Sequence, residues 1–146
     1  MASNIHIGIE NSQQFYHDAL PLFQKEWDET QEEKSNVSID LGYYLQQEAM
    51  QNLIILAARH EYRLVGFLVF VGVKSVHNNE LCAKSAGFYV EKDYRKKGVG
   101  LDLIRKAKEI IKPLGYSMSM DTYMKNDISK ILEHCGGKLE SKTYVF

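Results

Sequence analysis

The run Tyr89-Val90-Glu91-Lys92-Asp93-Tyr94-Arg95-Lys96-Lys97-Gly98-Val99-Gly100-Leu101 restricts the possible folds more than any other stretch of the chain. An apolar, strand-like segment ends at Val90, a short basic turn follows, and two glycines open a segment of helical periodicity. With no side chain at Gly98 and Gly100, successive backbone N–H groups can approach a ligand closely, and a helix starting there adds the positive end of its dipole. A diphosphate suits such a cradle, and Arg95, Lys96 and Lys97 place mobile positive charge beside the amides. The spacing is not that of a P-loop, which needs Gly-Lys-Ser/Thr, nor of the three-glycine dinucleotide fingerprint.

The remaining segments alternate between strand and helix patterns. Ile5, Ile7 and Ile9 alternate with polar residues as in a half-buried strand. A helix follows, capped by Asn11 or Ser12, with Phe15, Ala19, Phe23 and Trp27 along one face. Pro21 predicts a kink or break in it. The polar, acidic stretch Asp28 to Ser38 reads as an exposed loop, and Asp40 as the cap of a second helix through Leu41, Tyr44, Leu45 and Ala49. The apolar runs Leu53 to Ala58 and Leu64 to Val73 read as a hairpin of long strands, with Gly66 and Gly72 at bulges or close approaches. After a turn at His77-Asn78-Asn79-Glu80, Leu81 to Val90 forms the strand that enters the cradle. Leu103, Ile104, Ala107, Ile110, Ile111 and Leu114 make a helical stripe ended by Gly115. A short strand over Tyr116 to Asp121, a helix opened by Asn126 or Asp127 and closed by Gly136-Gly137, and a final strand over Leu139 to Phe146 complete the chain. In that helix Ile128, Ile131, Leu132 and Cys135 face inward.

At 146 residues the chain is long enough for one domain, spanning 1–146, with a core of its own. The net charge of −1 gives no reason to expect nucleic-acid binding. Positive charge is local instead: residues 91–112 carry eight Lys/Arg against four Asp/Glu, which fits a small anion. Cys82 and Cys135 read as free thiols, and no Cys/His spacing suggests a metal site. No segment reads as a leader or a membrane span, so a soluble, cytoplasmic protein is expected.

The pattern Arg95, two residues, Gly98, one residue, Gly100, preceded by Phe88-Tyr89-Val90 and Tyr94, resembles the acetyl-CoA site of the GNAT N-acetyltransferases. The element order β-α-α-β-β-β-α-β-α-β also resembles that mixed α/β fold over nearly the whole chain. Trp27, Tyr43-Tyr44 and the His-containing turn look like a group of phage- and prophage-encoded members, which would place the protein in a host cytoplasm or a virion. The resemblance implies transfer of an acetyl group from acetyl-CoA to a primary amine, without a metal. It implies cosubstrate binding by Phe88, Tyr89, Val90, Arg95, Lys96, Lys97, Gly98, Val99, Gly100 and Asn126. It further implies an acceptor wall between the first two strands, where Tyr43 and Tyr44 lie, and a homodimer paired through the C-terminal strand.

The catalytic side chains depart from the family's usual pattern. Counting seven residues from Asn126, Glu133 stands where a Tyr is usual, and Ala86 stands where an acidic residue is often found four positions before Val90. A lysine-type amine, with a pKa of about 10.4, must lose a proton before it attacks. Glu80 or His77 as base and Tyr123 or Tyr144 as acid are the substitutes within reach. The alternative is a GNAT-shaped protein that binds CoA or a virion partner without turnover.

Overall fold

The computed structural model describes residues 4–31 and 37–146. Its elements are β1 (Ile5–Ile9), α1 (Ser12–Thr30), α2 (Leu41–Ala49), β2 (Leu53–His60), β3 (Arg63–Lys74), β4 (Leu81–Val90), α3 (Val99–Ile111), β5 (Ser117–Ser119) and α4 (Ser129–His134). A 3-10 turn over Lys92–Lys97 joins β4 to α3, and another over Lys112–Leu114 extends α3. The strands form one sheet in the order β1-β2-β3-β4-β5, antiparallel except for the parallel β4/β5 pair.

Strand β3 is central and apolar throughout because both of its faces are covered. Val65, Leu68 and Phe70 join Leu56, Ala58 and the α3 residues Val99, Leu103, Ile104, Ala107 and Ile111 in one core layer. Leu64, Phe67 and Val69 join Ile55, Ala57 and the α1 residues Phe15, Ala19, Leu22 and Phe23 in the other. Each fully buried large side chain contributes about 1.5–3 kcal/mol of transfer free energy. The Phe15, Phe23 and Phe67 rings add edge and tilted contacts at 4.5–5.9 Å.

Two bulges interrupt the ladders. At the first, β3 carries an extra residue, Val65, opposite Ala58 and Arg59, beside Gly66 as expected. The second lies in β4, where Ser85 pairs with Phe70 and Gly87 with Val69, leaving Ala86 unpaired. A bulge bends its strand and re-aims the residues beyond it. The Phe88 side chain consequently joins the α3-side layer, as Ala83 does, although the two are five positions apart.

Several sequence expectations change. Helix α1 runs unbroken through Pro21, because Phe15, Ala19, Leu22 and Phe23 clamp both sides of the proline onto one sheet face. Its cap is Asn11, which accepts from the Gln14 N–H at 2.8 Å while the Gln14 side chain accepts from the Asn11 N–H. The helix also continues through Asp28 to Thr30, so the expected acidic loop starts later, and residues 32–36 of it lie outside the described residues. Asp40 caps α2 as expected. Strands β2 and β3 absorb Arg59, His60 and Arg63, which leaves a two-residue turn at Glu61-Tyr62. Arg59 is held there by Glu10, Asp18 and the Tyr62 carbonyl at 2.7–2.9 Å. Ile9, Leu114 and Ile131 are exposed rather than inward, being at an edge strand, a helix end and a short helix. Helix α4 opens at Ser129, not at Asn126 or Asp127, because the Thr122 hydroxyl accepts from Ile128 N–H and Asp127 accepts from Ser129 N–H. No strand forms over residues 138–146, where Leu139, Tyr144, Val145 and Phe146 are exposed.

Cys82 and Cys135 are free. No helix of the described residues is long and apolar enough to cross a membrane. Among the described residues no group of three His, Cys, Asp or Glu is placed to hold a metal ion.

Candidate active site

The parallel β4/β5 ladder spans only Cys82↔Ser117 to Lys84↔Ser119 and stops at the Ala86 bulge. Beyond it the two chains part. An open cleft lies between them, lined by Ser85, Ala86, Gly87 and Phe88 of β4 and by Asp121, Tyr123, Asn126 and Ile128 from the segment after β5. Glu26 and Thr30 of α1 close it from the third side. Lys125 fastens this arrangement, since its ammonium donates to the carbonyls of Asp28 and Gln31 at 2.7 and 2.8 Å, at the negative end of α1.

At the end of β4, Gly98 has φ = +79°, a left-handed conformation, and a Cβ there would meet nothing within 4 Å. The strand therefore turns into α3 over open space, and the first amides of α3 have no carbonyl partner within the helix. Gly100 is different. A Cβ on it would stand 3.2 Å from the Phe88 ring, so its small size lets α3 pack on β4.

Of the basic residues, Arg95 is already engaged. It donates to the Val90 carbonyl at 2.8 Å, pairs with Glu29 at 2.7 Å and lies over the Tyr89 ring at 5.3 Å. Lys96 and Lys97 are exposed, with the Lys97 ammonium 4.9 Å from the Tyr94 ring centre. Tyr94 anchors the turn, buried and 2.6 Å from His60 Nδ1. Tyr89, Val90 and Val99 are core residues, so only their backbone groups face outward. Burial, with Glu29 and Glu91 nearby, pushes the Tyr89 hydroxyl up to about 12. Glu91 is nearly buried, which alone would raise its pKa, but Lys25 at 2.9 Å and Arg63 at 3.2 Å outweigh this and hold it below the usual range.

The proton-transfer candidates separate clearly. Tyr123 lines the cleft with Asn126, whose N–H donates to the Tyr123 carbonyl at 3.1 Å. Burial, then the charges of Asp121 and Glu26, raise the Tyr123 pKa, so the phenol stays protonated. His77 and Glu80 lie in the exposed β3–β4 turn, bonded within it to Ser75 and Asn78. Glu80 precedes Ser85 by five strand residues, roughly 16 Å, and neither it nor His77 lines the cleft. Tyr144 is in the exposed C-terminal segment, and Glu133 is on the outer face of α4. Tyr44 packs on Phe23 under the cleft, while Tyr43 points outward.

Two carboxylates line the cleft, Asp121 and Glu26, and neither had a role in the reading of the sequence. Glu26 accepts a 2.5 Å hydrogen bond from the Phe88 N–H, just past the bulge. Burial raises its pKa, the Phe88 N–H opposes this, and the negative charge of Glu29 adds to the rise, leaving Glu26 at about 7. Tyr44 in turn is raised by burial and by the Glu26 charge. A signal was available: Glu26 follows Leu22 and Phe23 by four and three positions, so it continues the buried stripe of α1. A second hollow, between Ile54, Phe70, Ala83, Ile111 and Tyr116, is apolar and lies away from the opening between β4 and β5.

A five-stranded mixed sheet opened between a bulged β4 and a parallel β5, with a glycine-led helix after β4, is an acyltransferase fold. The chain belongs to the acetyltransferase (GNAT) family, whose profile matches residues 12–136. Similar solved structures include a ribosomal-protein-alanine N-acetyltransferase from Brucella melitensis biovar Abortus 2308, at 19% identity and TM-score 0.75, covering 97% of this chain and 96% of that one. An aminoglycoside acetyltransferase from an uncultured soil metagenomic sample, in complex with sisomicin, gives 13% identity and TM-score 0.77, covering 98% and 95%. Glucosamine-6-phosphate N-acetyltransferase from Arabidopsis thaliana gives 12% identity and TM-score 0.69, covering 97% of each chain. No curated protein sequence matches the chain.

Proposed function

We propose that the protein is an acetyl-CoA-dependent N-acetyltransferase acting on a primary amine. The observation that carries this reading is the open cleft between β4 and β5 running from the Ala86 bulge toward the left-handed Gly98 at the start of α3. The residues fit the cosubstrate. Unpartnered first-turn amides and open space at Gly98 suit a diphosphate on the backbone from Lys96 to Gly100, with Lys96 and Lys97 as screened charges beside it. The pantetheine arm would follow β4, pairing with backbone groups near Phe88 and Val90. The thioester would then lie beside Tyr123, a phenol that is protonated and within the cleft where the thiolate departs.

Proximity supplies much of the rate in such a transfer, because thioester and amine react only when held together. Glu26 and Tyr123, which line the cleft together with Asp121, favour turnover over the binding-only alternative. The test is incubation with acetyl-CoA and a panel of primary amines, following free thiol. Release that depends on both acetyl-CoA and an amine is the expected result; binding without release from any amine would contradict the enzymatic reading.

A further inference from the structure

We propose that Glu26, on α1, is the general base that takes the proton from the attacking ammonium. This rests on the acetyltransferase reading above. Ala86 leaves β4 without a carboxylate where the cleft opens, and Glu26 reaches into the same space from another element, with its Oε2 on the Phe88 N–H beside the bulge. The groups facing it are Glu29 on α1, Tyr44 on α2, and Asp121 and Tyr123 after β5; β4 contributes only the Phe88 amide. Arg95 is occupied by Glu29. Glu29 is neutralised by the same pair and the Lys125 ammonium is turned onto the Asp28 and Gln31 carbonyls, so Glu26 and Asp121 are the carboxylates left lining the cleft, which favours a cationic amine over an anionic acceptor.

The proton inventory closes with these residues. A protonated amine gives one proton to the Glu26 carboxylate, and the freed lone pair attacks the thioester carbonyl carbon. The C–N bond forms and the C–S bond breaks. The departing thiolate sulfur takes the Tyr123 proton, and the second nitrogen proton, lost as the amide forms, returns to the Tyr123 oxygen; Glu26 later releases its proton to solvent. The near-neutral pKa of Glu26 suits this work, since a base poised near the working pH is both ionised and basic enough. A thioester carbonyl accepting from the Phe88 N–H would take the donor that now holds Glu26, freeing the carboxylate for the amine once acetyl-CoA is seated.

Glu26→Gln tests this, because the amide oxygen still accepts from Phe88 N–H while basicity is lost. Thiol release is followed against pH for wild type and variant with lysine amide, spermidine, kanamycin and a tripeptide with a free α-amine. Expected is a loss of at least about 100-fold in kcat/KM near pH 7, with acetyl-CoA affinity retained. The wild-type rise with pH should level near Glu26 ionisation, whereas the variant should keep climbing toward the amine pKa. Carboxyl 13C resonances of the free protein should include one titrating near 7 that the variant lacks. A variant within twofold of wild type with an unchanged pH profile, or a Glu26 resonance titrating as an ordinary carboxylate, overturns the assignment alone. Wild type that releases thiol with no amine overturns the enzymatic reading on which it rests.

Discussion

Gly98 and Gly100 look equivalent as letters but do different physical work. Gly98 needs its left-handed φ, so Gly98→Val should cost about 1–3 kcal/mol of backbone strain and place a branched side chain where a diphosphate would approach. Calorimetry should show acetyl-CoA binding lost in a folded protein. Gly100→Val instead drives into the Phe88 ring and should lower thermal stability as well as binding. Lys96→Ala and Lys97→Ala should each weaken binding by less than about fivefold, the size of a screened surface interaction. Glu26 carries a stability prediction of its own. Its folded pKa of about 7 lies above the ordinary 4.5, so the folded state holds the proton longer. The penalty for the buried charge is absent below the unfolded value, grows as pH rises through the window, and is complete above the folded value. At about 1.36 kcal/mol per unit, it reaches about 3 kcal/mol. Glu26→Gln should therefore gain stability relative to wild type between pH 4 and pH 8, by on the order of 6–12 °C in Tm. Thermal denaturation at the two pH values checks this, and an equal difference at both would contradict it. Glu26 had no role in the reading of the sequence; its depth became visible once α1 was seen to run unbroken to Thr30.

Among the elements, α1 is the one whose length matters most for the site. Had it ended at Pro21, Glu26 and Thr30 would not reach the cleft. Proline removes one hydrogen bond, but aromatic packing on both sides of it outweighs that loss, and a local rule about proline has no view of such packing. The strands and α3 were legible because their apolar periodicity is itself the burial pattern. The weak elements were not: α4 is six residues long, and the C-terminal segment has apolar residues that this chain leaves exposed. Lys125 joins the segment after β5 to the end of α1 across the mouth of the cleft. Lys125→Ala should release that segment, raising the KM for the amine several-fold while leaving acetyl-CoA affinity nearly unchanged. Steady-state kinetics against each substrate would show the split, and a reversed split would contradict the role given to Lys125.

In the whole molecule, the two core layers and the bulges act together. Helix α3 fixes one face of β4 and α1 the other, and the Ala86 bulge between them ends the β4/β5 ladder and turns the Phe88 N–H toward the cleft. The Arg95–Gly98–Gly100 spacing marked, from sequence alone, the strand-to-helix junction with its left-handed Gly98 at which the diphosphate is proposed to sit. The cleft itself was hidden because it is assembled from α1, β4 and the segment after β5, residues 26 to 128, which only the fold brings together. The most direct test of acetyl-CoA binding in the β4/β5 cleft and at the start of α3 is a titration of the 15N-labelled protein with acetyl-CoA, read at each backbone amide. Shifts concentrated at Phe88 and from Lys96 to Leu101, with Ile5–Ile9 unmoved, are the expected result. No shifts at saturating acetyl-CoA, or shifts confined to the hollow near Ile54 and Tyr116, would contradict it.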